Sequence, residues 1–144
     1  MAKDHPDHHD AELVLRVYEM RRETVLRQSR HEVLSTLWPR SYEDVASITK
    51  PNHPLNAAYR QVTSYWEMVY GMARHGIVHA DYFLESNGEG LFLFARVAPY
   101  LARIRGELSP VAFRNAEWAA TETGTGRHMF EIFSARVKKA LETR

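Results

Sequence analysis

Cysteine is absent from the 144 residues, which excludes disulfides and thiolate metal sites and fits a reducing cytoplasm. No run of about 18 apolar residues occurs that could span a bilayer. The N-terminus, MAKDHPDHHD, lacks the basic-then-apolar order of a signal peptide. The sequence therefore reads as unexported and cytoplasmic. Glycine (7) and proline (6) are too sparse for a low-complexity chain. Sustained period-two alternation is missing, which argues against strands, and no internal repeat is present. Charge of one sign is lacking too: the net charge is +1, mildly polarised toward acid before Arg96 and toward base after it.

What is present is helical periodicity. With 44% apolar and 26% charged residues the composition is that of one globular domain. The strongest segment is Leu55 to Ile77, LNAAYRQVTSYWEMVYGMARHGI. Leu55, Tyr59, Val62, Trp66, Val69 and Ala73 fall at steps of four and three, so they line one face of a helix. Ala58, Tyr65 and Met72 widen that face, and Arg60, Glu67 and Arg74 form a polar flank. The run ends in Arg74-His75-Gly76-Ile77, where glycine can take the left-handed conformation that stops a helix and His75 meets the negative end of its dipole.

The chain in order predicts a disordered tail over residues 1–10, then a long helix from Ala11 to Trp38 capped by Asp10 and ended by Pro39. That helix is apolar at its ends and polar through Arg21 to Glu23 and Arg27 to Glu32, a pattern expected where the middle crosses solvent or meets a second subunit through Val25 and Leu26. Ser41 opens a short helix through Ile48, and Pro51 and Pro54 frame the connection to the helix at 55–77. A short helix starting near Asp81 ends at Asn87-Gly88. A third long helix, from about Glu89 to Gly106, carries Phe94, Val97, Leu101, Ile104 and Leu108 inward, with a kink at Ala95 to Pro99 because Pro99 lacks an amide proton. Arg96 and Arg103 flank it, within reach of Glu67. Ser109-Pro110 opens Val111 to Thr121, and a last helix from Arg127 buries Phe130, Phe133, Val137 and Leu141. The expected architecture is all-α, an irregular helical bundle of about four long and two short helices over residues 11–144.

The run from Tyr65-Trp66-Glu67 through Gly76-Ile77, the short helix at Tyr82 to Leu84, Pro99-Tyr100 and Arg105 resembles a family of small bacterial helical domains of unknown function. That resemblance covers residues 55–105 and implies a helical fold, without a catalytic residue to carry over.

Candidate sites follow from side-chain chemistry. Glu67, His75, His79 and Asp81 supply carboxylate and imidazole near one helix end, the groups that share protons or bind metal at neutral pH. His75 and His79 are separated by the glycine stop, and Glu-x-x-His and His-Glu-x-x-His pairs are missing. The competing reading is a capping His75 and an ion-paired Glu67. His5, His8 and His9, interleaved with Asp4, Asp7 and Asp10, are weaker metal candidates on a tail that holds no geometry. Thr123-Gly124-Thr125-Gly126-Arg127 has amides an anion could use, yet no strand precedes it; it reads as a linker. Arg96, Arg103, Arg105, Arg114, Lys138 and Lys139 could form a basic face, interrupted by Glu107, Glu117, Glu131 and Glu142, which disfavours nucleic acid. Tyr65, Trp66, Tyr70, Tyr100 and Trp118 serve either as core or as pocket walls. The sequence thus predicts a protein-interaction module and homo-oligomer without catalysis or a cofactor. The alternative is a metal or small-molecule site near Glu67, His75, His79 and Asp81.

Overall fold

A computed structural model describes residues 3–144, and every regular element among them is helical. The helices are α1 (His8–Arg21), α2 (Thr24–Thr36), α3 (Tyr42–Ile48), α4 (Asn56–Arg74), α5 (Ala80–Ser86), α6 (Glu89–Val97), α7 (Leu101–Glu107), α8 (Arg114–Glu122) and α9 (Gly124–Glu142), with a 3-10 turn at Ala98–Tyr100 between α6 and α7. This is more pieces than the sequence pattern suggested, because two long helices are broken.

Helix α4 is the axis. All six residues of its predicted seam are buried, from Leu55 to Ala73, and α2, α5 and α8 pack around it. Its end is the expected one: Ile77 N donates to the Met72 carbonyl (2.9 Å), Gly76 N to the Ala73 carbonyl (3.2 Å), and Gly76 has φ 73°. These two bonds satisfy carbonyls that the helix leaves open. Tyr65 hydroxyl donates to the Val17 carbonyl (3.0 Å) and Tyr70 hydroxyl to the Asn87 carbonyl (2.7 Å), fastening α1 and the α5–α6 corner to α4. Gly90 lets the first turn of α6 meet the Trp66 and Tyr70 side chains of α4, since a Cβ there would stand 2.6 Å from the Trp66 ring and the Tyr70 hydroxyl.

The helix expected over 11–38 is two helices. At the corner Glu23 caps α2, its carboxylate accepting from Val25 N (3.0 Å) and Leu26 N (2.9 Å). The polar stretch Arg21 to Glu23 is thus a turn, and α2 packs along α4 within the chain. Leu26 is buried while Val25 is 55% exposed, so the pair assigned to a subunit contact divides between core and surface. Pro99 does interrupt the third long helix, as the 3-10 turn. Ser41 caps α3, accepting from Asp44 N (3.2 Å).

The expected tail at 1–10 needs correction where it is described; Met1 and Ala2 lie outside the described residues. Helix α1 begins at His8, with Asp7 and Asp10 forming a reciprocal cap. Asp10 is fully buried. Its carboxylate accepts from Lys3 Nζ (2.9 Å), Asp7 N (2.9 Å) and His79 N (2.9 Å). Burial pushes this carboxyl up, but the Lys3 ammonium and the two amides outweigh it and hold it at about 2, below the ordinary 3.8. A depressed carboxyl contributes stability that is complete above its unfolded value and lost as pH falls through its folded one. Asp10→Asn is therefore expected to lower stability at neutral pH by about 1–2 kcal/mol. Urea unfolding between pH 2 and 5 should show a flatter pH dependence for the variant than for the parent; equal slopes would contradict the assignment.

Candidate functional site

A cavity of about 750 Å³ forms a groove between α4 and the chain that joins α7 to α8. Its α4 wall presents Ala57, Tyr59, Arg60, Gln61, Thr63, Ser64 and Glu67. The other wall is Ile104, Leu108, Ser109, Val111, Ala112 and Phe113.

That second wall was expected to be helical, opened by Ser109-Pro110. Instead α7 closes with Leu108 N and Ser109 N both donating to the Ile104 carbonyl (2.8 and 2.9 Å), and α8 starts only at Arg114. Arg105 holds the intervening turn, its Nε donating to the Ala112 carbonyl (3.0 Å) and its Nη1 to Glu117 (2.9 Å). Phe113, the residue before α8, is left-handed at φ 57°, ψ 25°, and is the one non-glycine with positive φ among the described residues. A bulky residue in that region carries local strain. Its ring is buried, 5.8 Å from that of Phe94.

Phe113 offers no side-chain acceptor for the first amides of α8, and Glu67 supplies one from α4. Its carboxylate accepts from Asn115 N (3.0 Å) and Ala116 N (2.8 Å), while Asn115 Nδ2 donates to the Glu67 carbonyl (2.9 Å). A carboxylate at a helix N-terminus also meets the positive end of the dipole. Glu67 is neither part of a proton-sharing cluster nor paired with Arg96 or Arg103; it positions one wall of the groove against the other.

The remaining members of the predicted set serve other helix ends. His75 closes α4. His79 precedes α5, its Nδ1 accepting from Tyr82 N (3.0 Å). Asp81 accepts from Thr125 N (2.9 Å) at the start of α9, and this backbone bond holds its carboxyl below the ordinary range. Four side chains that looked like one site are divided among four helix termini. Among the described residues no three His, Asp or Glu groups are placed to hold a metal ion, and His5, His8 and His9 are exposed. The glycine linker offers no open cradle at its first turn: Thr125 N is taken by Asp81 and Gly126 N by Thr123 Oγ1 (2.8 Å). Of the supposed basic face, Arg96 is buried and Arg105 is paired. Tyr65, Trp66 and Tyr70 are core, and neither they nor Tyr100 and Trp118 line the groove.

Sequence reasoning read Tyr59 only as core, and the structure places it on the wall of the groove as well. It is 8% exposed, it lines the groove, and its hydroxyl has no hydrogen-bond partner among the described residues, whereas the buried Tyr65 and Tyr70 hydroxyls each have one. Burial alone pushes its phenol well above the ordinary 10, and the hydroxyl, unlike the buried and partnerless Trp66 Nε1, is open to the solvent of the groove.

A family model described as a domain of unknown function (DUF4760) matches residues 6–123, a longer stretch than the 55–105 on which the sequence resemblance rested. No curated protein and no solved structure matches the chain.

Proposed function

We propose, for a chain that belongs to the DUF4760 family of domains of unknown function, a binding role exercised through the groove between α4 and the α7–α8 connection, without bond-making chemistry of its own. The observation that carries this reading is Tyr59: a nearly buried donor, unpartnered, on the wall of a cavity about 750 Å³ in volume. Small-molecule sites are typically about 300–1,000 Å³, mostly apolar, with a few polar groups that fix orientation. This groove has that composition, with Ile104, Phe113 and Ala112 on one wall and Tyr59, Thr63 and Ser64 on the other. The strain at Phe113 lies on the wall opposite Tyr59, and strained backbone of this kind clusters at binding and active sites.

The test is methyl-labelled NMR of the whole chain titrated with small apolar fragments. Shifts are expected at Ile104, Leu108, Val111 and Ala112, and they should vanish in Ala57→Trp, which plugs the groove from an exposed α4 position. Shifts confined to other methyls, or none at all, would overturn the reading.

A further inference from the structure

We infer that the ligand of this groove is a monoanionic amphipath: one carboxylate on an apolar body of medium acyl length. The inference rests on the groove being the binding site and adds the chemistry of its occupant. Tyr59 and Arg60 are consecutive on α4, at one level of the helix, and both line the groove. Arg60 is the only basic residue on the lining, and neither its guanidinium nor the Tyr59 hydroxyl has a partner among the described residues. Three arginines near α4 are engaged, Arg30 with Glu89 (2.6 Å), Arg74 with Asn115 (3.2 Å) and Arg105 with Glu117 (2.9 Å), while Arg114 on α8, outside the groove, is exposed like Arg60.

A guanidinium only donates and a phenol hydroxyl donates as well as accepts, so an oxyanion can accept from either. The lining's one acid, Glu67, is already committed to two amides of α8. Arg60 and Glu67 are separated by about 10 Å of helix rise, so the donor end of the groove is distant from its negative charge. Between them the opposite wall offers Ile104, Leu108, Val111, Ala112 and Phe113, a surface for methylenes or a ring. An oxyanion at Arg60 with its apolar body along that wall replaces water at the Tyr59 hydroxyl, neutralises the exposed cation and covers the exposed Leu108 and Val111.

Sodium octanoate and 1-octanol share a body and differ in charge, so titrating each against the methyl-labelled chain separates the carboxylate from the groove. Octanoate is expected to bind the more tightly. Arg60→Gln should weaken octanoate by roughly tenfold, the scale of one charge-assisted hydrogen bond, while leaving octanol unchanged. Tyr59→Phe should weaken both ligands, and it removes no internal hydrogen bond. Ala57→Trp should abolish both. Octanol binding as well as octanoate, with Arg60→Gln silent, would overturn the anion and leave the groove standing. Failure of both to move the groove methyls would remove the groove itself. Binding that survives Ala57→Trp would mean binding elsewhere and would overturn the inference.

Discussion

A chain ended after Glu122, close to where the family match stops at residue 123, is expected not to fold. Helix α9 closes the core from outside that match. Phe130 packs its ring 5.5 Å from that of Phe94, Phe133 packs 5.4 Å from Phe92, and Val137 is buried. The approach to α8 is so close that a Cβ on Gly126 would collide with the Ala119 carbonyl. Only glycine permits that contact, and Asp81 then fixes the corner by accepting from Thr125 N. Without α9, Ala119, Phe92 and Phe94 would lose cover. Burying one large apolar side chain is worth about 1.5–3 kcal/mol, so losing several removes an amount comparable to the whole stability of a domain, about 5–15 kcal/mol. Far-UV circular dichroism and thermal melting of the shortened chain check this directly. A cooperative transition with the helicity expected for α1–α8 would show that α9 is an addition and not part of the core.

How far the sequence reached depends on whether a feature is local. The seam of α4, its stop at Gly76, the cap at Ser41 and the break at Pro99 each rest on residues within a turn or two of each other, and periodicity and backbone chemistry reveal such features. Helix boundaries at 22–23 and 113–114 were hidden because their caps are unusual. Glu23 caps with a side chain longer than the preferred Ser, Thr, Asp or Asn, and α8 borrows Glu67 from 48 residues away. One signal was available in retrospect: Val111-Ala112-Phe113 before Arg114 contains no side-chain acceptor, so the first amides of α8 needed one from elsewhere. The groove itself was not legible. Tyr59 obeys the core periodicity of α4, and whether its hydroxyl has a partner depends on how the α7–α8 turn runs. His75, His79 and Asp81 looked like a cluster because they are close in sequence, yet a glycine stop and a short helix direct them to separate tasks.

Arg96→Ala is expected to cost about 3–5 kcal/mol, the scale of breaking a buried charged network. The reason is what surrounds this guanidinium. Arg96 is 2% exposed, and its Nη1 donates to the Leu34 carbonyl (2.9 Å) and the Leu37 carbonyl (2.7 Å), closing the C-terminal end of α2. The guanidinium lies 3.7 Å over the Trp38 ring and 4.8 Å from that of Phe92, with Arg144 on Trp38 as well at 4.1 Å. Burial, and then the neighbouring Arg144, lower its pKa to about 10, which still leaves it charged at neutral pH. Alanine would strand the buried Leu37 carbonyl and the part-buried Leu34 carbonyl and empty the space beneath Trp38, two penalties that act together. Lysine would keep the charge but lose the planar stack. Methionine separates the contributions, because it fills much of the volume and removes the desolvated cation, whose buried Nε has no partner. If the cation is held against its desolvation only by α2, Arg96→Met should recover most of what Arg96→Ala loses. If the two carbonyls dominate, methionine should be nearly as damaging as alanine. Urea midpoints of the three variants decide between these terms, and an alanine variant within about 1 kcal/mol of the parent would deny that Arg96 ties α2 to α6 at all.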